Sequence, residues 1–508
     1  MVKFLSITIF LITFSFLQAQ DAFDAPMKKK HMKKDLMHFK EIREIANSGV
    51  FKYRSKAEID SIYRWAFNQI NESNSIGDFY NILSTITDFE GSLHNDTGLP
   101  KKVRKRLWDE SSGYFPLMIK YIQGNWICNN DSIAIPLGSK IKEINGISMS
   151  KIIPELYLYY TTDGYNITGK QIGINSNFSF YYRWRYGKKD QFNIKYETID
   201  GTMYNATLSS VSNIRLRELK TNRHSLPFDY LLFSNYIQMT ERNELYKTTY
   251  NASESTAILK INSFYIGADE KDPVHITYAK YLDSIFTVLK QNGTKNLIVD
   301  VRFNGGGTAP NDMVTGSYLI NKPMKDVKQA WTSCNKLPQV GKLNIPFYQK
   351  PFANIAVRKE VKKNLSLGSD GKYYYNKFKT IEPNPNAFKG KIYLLVGPNT
   401  ASAASMFAAM VAGNTDAIVI GDETQGGYYG HNGIFPVSYV LPKSKIEFDF
   451  SMVNIDQNVR QKDKQPKGSG IIPEFIVTQA FDDFLKNEDT VMKFVEKLIS
   501  EDKTQHSK

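Results

Sequence analysis

Ile392-Tyr-Leu-Leu-Val396-Gly-Pro-Asn-Thr-Ala-Ser402-Ala-Ala-Ser405 is the stretch from which the fold is read. Its first five residues are apolar and predict a strand. Gly397-Pro398-Asn399 predicts a tight turn, and the small and apolar run from Ala403 to Ala412 predicts a helix. Ser402 then stands at the start of that helix. The unpaired N–H groups of a first turn favour negative charge, so an oxyanion formed beside Ser402 would be partly neutralised. Most serines at such a place are helix caps. The stretch alone leaves both roles open.

Its neighbours repeat the pattern. Ala257–Ile261 reads as a strand. Tyr278–Leu289 reads as an amphipathic helix, and Asn296–Val301 as the next strand. Strand, helix, strand implies parallel pairing. Ala417–Ile420 is a further strand. Three strands therefore run into unusual loops: Arg302–Gly307, Gly397–Ser402 and Gly421–Gly427. In open α/β sheets ligands bind in the crevice beyond such strand ends. Gly305, Gly306 and Gly307 carry no side chains, so their N–H groups can approach a ligand closely. Gly305 or Gly306 could supply one oxyanion donor, and the N–H of Ala403 a second. A phosphate loop is disfavoured because its Lys-Ser/Thr pair is missing.

Three of these segments carry a resemblance. Asn296-Leu-Ile-Val-Asp-Val-Arg-Phe-Asn-Gly-Gly-Gly307 resembles the D-[LV]-R-x-N-x-G-G signature of the carboxyl-terminal processing (tail-specific) serine peptidases and their tricorn-core relatives. Thr400-Ala-Ser-Ala-Ala-Ser405 resembles that family's nucleophile stretch. Ile420-Gly-Asp-Glu-Thr-Gln-Gly426 resembles its G-E-x-T-x-G loop. The segments occur in family order. The resemblance implies a multidomain α/β protein with a ClpP/crotonase-like ββα catalytic core, and it maps the nucleophile onto Ser402. Ser405 falls where many members carry Glu.

The chain departs from the processing branch at the base. A Lys is expected near the end of the third loop, but Gly427 stands there, and no Lys occurs between Lys391 and Lys443. The tricorn-like branch instead takes a His from upstream. His94, in Gly91-Ser-Leu-His-Asn-Asp-Thr97, is similar to that residue. A neutral imidazole can accept a serine proton at neutral pH. Ser92 matches the branch's accessory serine approximately. Glu423 is the expected supporting carboxylate, with Asp422 and Asp96 behind it. His431, in Tyr428-Tyr-Gly-His-Asn432, is the rival base. No His, Cys, Asp and Glu grouping has metal-ligand spacing, so neither metal nor cofactor is expected.

The remaining sequence supplies the setting. At 508 residues the chain exceeds one core. Residues 1–19 read as a signal peptide cut after Ala19, which places the protein in the periplasm or outside the cell, with no stable membrane insertion. Residues 20–113 read as an N-terminal helical domain contributing His94, residues 114–212 as a β-rich domain, and residues 213–508 as the peptidase domain with an irregular insertion at 322–389. Within 114–212, Gly138-Ser-Lys-Ile-Lys-Glu-Ile-Asn-Gly146 resembles PDZ domains, which add peptides to a sheet edge. Residues 211–250 read as a connector. The net charge is +14, and the run Lys28–Lys34 reads as a solvated lead-in. No interleaved aromatics or nucleic-acid module accompany that run, so a nucleic-acid partner is not expected. Cys128 and Cys334 leave open a disulfide or two thiols. The expected function is an exported serine endopeptidase acting on peptides or proteins. The alternative is a non-catalytic peptide or small-ligand binding protein on the same scaffold.

Overall fold

The structure, a computed structural model, describes residues 23–130, 134–221, 245–251, 255–325 and 327–506. The leader expected at 1–19 lies outside the described residues. The apolar runs form one sheet in the order Phe475–Ile476, Ile418–Gly421, Lys391–Val396, Asn296–Asp300, Thr256–Ile261, Tyr246–Asn251. All pairs are parallel except the last. Side chains alternate between faces, as a doubly covered sheet requires. Leu297, Val299 and Val301 enter the core beneath the helices Pro273–Gln291 and Ala403–Asn414, whereas Ile298, Tyr393 and Leu395 pack on Val491, Val495 and Ile499 of the C-terminal helix Thr490–His506. Asp300 pairs with Leu395, and Val396 with Gly421. The three strands therefore end level, and their loops emerge along one edge. Arg302 fixes that edge. Its guanidinium spans Asp300 and Asp489, at 2.8 Å and 2.7 Å, and so ties the strand end to the residue before the C-terminal helix.

A second sheet carries the hairpin Asn432–Val440 and Glu447–Gln457. The short strand Asp96–Gly98 pairs with one side of Glu447–Gln457, and Val327–Thr332 with the same strand further along. Tyr373–Tyr375 and Leu365–Leu367 extend this sheet. The segment 322–389 is therefore not irregular: its strands complete a sheet, and it holds the helix Ala353–Asn364. Polar alternation and short strand length hid it.

The N-terminal helices Lys29–Ala46, Lys56–Gln69 and Ile76–Phe89 close their core on this hairpin, where Phe39 meets Phe448 at 4.8 Å between ring centroids. The lysine run is the start of the first helix rather than a lead-in. Met32, Leu36 and Phe39 are buried at helical spacing, and the lysines occupy the other face.

Residues 114–212 form a five-strand path through Ile119–Ile122, Asn125–Cys128, Lys140–Ile144, Gln191–Glu197 and Met203–Ser209. They also contain a 19-residue helix, Thr168–Tyr186, within the stretch read as a β-rich domain. Its inner face includes Asn175, Ser179 and Arg183, and these buried polar residues break the apolar period from which a helix is read. Asn175 accepts the N–H of Tyr121 at 2.9 Å, on the edge strand Ile119–Ile122. The connector at 211–250 holds the helix Asn213–Thr221 and the strand Tyr246–Asn251, with residues 222–244 outside the described set. Cys128 and Cys334 are free thiols. Among the described residues no helix is long and apolar enough to cross a membrane.

A buried ion pair links the helical bundle toward the hairpin. Arg43 Nε donates to both Glu90 oxygens, at 2.9 Å and 3.0 Å, with both side chains essentially inaccessible. Asn95 donates to Glu90, Asn47 to Asn95, and Asn432 of the hairpin to Asn47. Removing one partner of such a pair leaves a buried charge uncompensated. Glu90→Ala is therefore expected to lower folding stability by about 3–5 kcal/mol, read as a shift in the urea midpoint at unchanged slope.

Candidate active site

The nucleophile turn is held from both sides. Thr400 Oγ1 donates to the Val301 carbonyl at 2.9 Å, and the Ala401 N–H to the Asn304 carbonyl at 3.2 Å. The Gly426 N–H reaches the Thr400 carbonyl at 3.3 Å, which brings in the third loop. Thr424 Oγ1 spans its own loop and accepts the Ile471 N–H at 2.8 Å. Ser402 sits at φ 51°, ψ −128°, in the region L residues rarely adopt. Ser402 makes no side-chain cap bond to the helix, so its hydroxyl is free of the role most serines have there. The space for this turn comes from Gly306, at φ 107°: a Cβ there would lie 2.8 Å from Ser402 Cβ and 2.9 Å from the Ala401 carbonyl oxygen. Ser405 is fully buried and donates to the Ser402 carbonyl at 2.8 Å.

His94 arrives from 308 residues upstream, with Nε2 3.1 Å from Ser402 Oγ. The ring is partly buried at the cleft, and desolvation pushes its pKa down to about 4, while the Asn432 backbone acts in the opposite sense. His431 does not hold the serine. It packs against His94, with ring centroids 4.9 Å apart, and burial, His94 and Lys52 hold its pKa well below the ordinary value. Two imidazoles in contact in a dry place favour the neutral form of each.

The expected carboxylates stand elsewhere. Glu423 Oε1 accepts the Gly470 N–H at 2.8 Å, so its carboxylate braces its own loop, and among the described residues no hydrogen bond joins it to His94. Asp422 accepts the Glu423 N–H and lines a separate cleft of about 330 Å³. Asp96 accepts the Thr97 N–H beside the second sheet. Ser92 Oγ accepts the backbone N–H of His94 at 3.4 Å and so touches the loop, not the ring. The oxyanion assignment also changes. The Gly306 N–H is already given to Asn304 Oδ1 at 2.9 Å. Gly307, rather than Gly305 or Gly306, lines the main cleft together with Ser402 and Ala403. The Ala403 N–H opens the helix and has no acceptor among the described residues.

Asp163 is the residue that sequence reasoning missed. Its two carboxylate oxygens accept the Leu93 N–H at 3.1 Å and the Gly427 N–H at 2.9 Å. It thereby joins the His94 loop to the third active loop. Burial pushes its pKa up to about 7. Its neighbours add stitches: Thr161 to the Asn95 carbonyl, Gly164 to the Gly91 carbonyl, Asn166 to the Thr424 carbonyl, and Thr168 to the Glu423 carbonyl. Nothing local in Thr161-Thr-Asp-Gly164 marks this role, because both partners are remote in sequence.

Ser402 and His94 open on a cleft of about 760 Å³, walled by Met406, Ile434, Tyr375 and Phe378. The last two come from the insertion. Among the described residues no group of three or more His, Cys, Asp or Glu could hold a metal.

Residues 255–476 match the model of peptidase family S41. The three loops lie inside the matched stretch, and the match supports a serine peptidase. Among solved structures it resembles mature CPAF, at TM-score 0.60 and 14% identity, covering 93% of this chain and 96% of that one. It likewise resembles mature CPAF complexed with lactacystin, at TM-score 0.59 and 13% identity, covering 93% and 98%. These likenesses concern the fold. No curated protein matches the chain by sequence.

Two outcomes follow from the packing. Gly306→Ala is expected to displace Ser402 and cut peptide hydrolysis by about 100-fold, with an unchanged circular dichroism spectrum. Asp163→Ala leaves two buried N–H groups without an acceptor and is expected to lower stability by about 2 kcal/mol, read by urea unfolding.

Proposed function

We propose that the protein is an exported serine endopeptidase in which Ser402 is the nucleophile and His94 the general base. The observation that carries this reading is the 3.1 Å approach of His94 Nε2 to Ser402 Oγ at the floor of a peptide-sized cleft. Nε2 must accept the hydroxyl proton, so the neutral ring carries its own proton on Nδ1. At neutral pH the imidazole is unprotonated and competent.

As Ser402 Oγ bonds to the peptide carbonyl carbon, its proton passes to His94. The carbonyl oxygen becomes an oxyanion at the start of the helix Ala403–Asn414, where the Ala403 N–H and the backbone at Gly307 are placed to receive it. The imidazolium then gives its proton to the leaving amine, and water, deprotonated by the same ring, releases the acyl group. Among the described residues no carboxylate hydrogen-bonds to His94. Stabilisation of the imidazolium falls to the adjacent oxyanion, because the buried His94 Nδ1 has no hydrogen-bond partner among the described residues. His431 supports the ring by contact and excludes water. Export rests on the leader-like residues 1–19, with a periplasmic or extracellular location.

Ser402→Ala is expected to abolish cleavage of a denatured protein substrate, and wild-type rates in that variant would overturn the mechanism. The pH dependence carries a second expectation. A group that must be unprotonated loses activity as pH falls through its pKa. The kcat/KM profile should stay level from pH 8 to about 5 and fall below about 4. A break near the ordinary histidine value of about 6.5 that persists in Asp163→Asn, where the carboxylate that titrates at about 7 is gone, would place the base elsewhere.

A further inference from the structure

The insertion presents a surface for which the peptidase chemistry has no use. Phe347, Tyr348, Phe352 and Ile355 are 84, 61, 64 and 63% exposed. They lie on one turn, Phe347–Phe352, and the helix that continues it, Ala353–Asn364. The rings of Phe347 and Tyr348 meet edge to face at 5.8 Å. Taking about 200 Å² for a fully exposed ring, the three rings alone offer about 400 Å² of aromatic surface, the size of the largest apolar patch on a typical monomer, which is often functional.

The charge around the patch is one-sided. From Lys336 to Asn364 there are seven Lys and Arg against the single acid Glu360, a net charge of +6. The helix turns Val357 and Val361 inward. It leaves Arg358, Lys359, Lys362 and Lys363 exposed beside Ile355, and among the described residues none of these four cations has an ion-pair partner. Glu360 is engaged by Asn364 at 3.1 Å.

Projecting aromatic and aliphatic side chains ringed by unpaired cations match the chemistry of a lipid interface. Rings enter the headgroup region, while Lys and Arg meet anionic phosphates. Single-stranded nucleic acid fits less well, because Ile355 offers no stacking face and Phe347 stands clear of any opposing wall. We propose that this face of the insertion docks the protein on an anionic bilayer surface. Because the same insertion lines the cleft through Tyr375 and Phe378, docking would hold the cleft beside the bilayer.

The test is sedimentation of the full chain with vesicles of phosphatidylcholine alone and with about a third phosphatidylglycerol, at low and high NaCl. The expected result is at least about tenfold tighter partitioning onto the anionic vesicles, lost at high salt. Phe347→Ser with Phe352→Ser, and separately Lys359→Glu with Lys362→Glu, should each weaken it about tenfold, with hydrolysis of a soluble peptide unchanged. The charge reversals touch only exposed side chains and keep the test decisive if the aromatic pair fails to fold. Equal or no partitioning onto the two vesicle types would overturn the proposal. So would tighter binding of a single-stranded oligonucleotide than of anionic vesicles, or a dimer in sedimentation equilibrium that the aromatic variant dissociates.

Discussion

The carboxylate of Asp163 holds two backbone N–H groups that belong to different parts of the chain, and the geometry at Ser402 depends on it. One N–H precedes His94 in sequence, and the other closes the loop beneath the nucleophile turn. A general base carried by a remote helical bundle can be placed to a few tenths of an ångström only if its loop is tied to the loops it serves. The strap from Thr161 to Thr168 does this with side chains and main chain alike. The buried Arg43–Glu90 pair and the run of asparagines to Asn432 do it from the other direction. The helical bundle, the 114–212 region and the parallel sheet are thus tied together around Ser402, although each has a different local pattern.

In the proposed mechanism burial takes the place of the lysine or carboxylate that a sequence reading looks for. In a medium of low polarity a charged imidazole is disfavoured, and a second imidazole against the first disfavours it further. His94, the proposed base, is therefore neutral at rest over a wide range of pH. Its proton affinity is raised only when negative charge appears nearby, as it does when the serine adds to a carbonyl. Glu423, pinned on Gly470, contributes rigidity to the third loop instead of charge to the ring.

The parallel sheet and its three loops were legible because Asn296–Val301, Ile392–Val396 and Ala417–Ile420 are continuous apolar runs closed by glycine-rich turns. The strand-to-helix turn left Ser402 either a cap or a nucleophile, and the resemblance chose the nucleophile. His94 was legible only through resemblance, since nothing in its own surroundings points 308 residues ahead. The helix Thr168–Tyr186 was missed because its buried face is partly polar, and the insertion because its strands gain their meaning by joining the hairpin at 432–457. Gly306 was assigned as an oxyanion donor from its flexibility. In the fold that flexibility makes room for Ser402, and its N–H goes to Asn304. Asp163 could not be found from sequence, because a carboxylate that binds two distant N–H groups leaves no local trace.

The central claim is that His94, and not its neighbour His431, activates Ser402. The most direct measurement is the rate at which a fluorophosphonate labels Ser402 in the wild type, in His94→Ala and in His431→Ala at neutral pH. The account predicts a loss of at least about 100-fold in His94→Ala and a much smaller loss in His431→Ala. Near-wild-type labelling of His94→Ala, or a larger loss in His431→Ala, would contradict it.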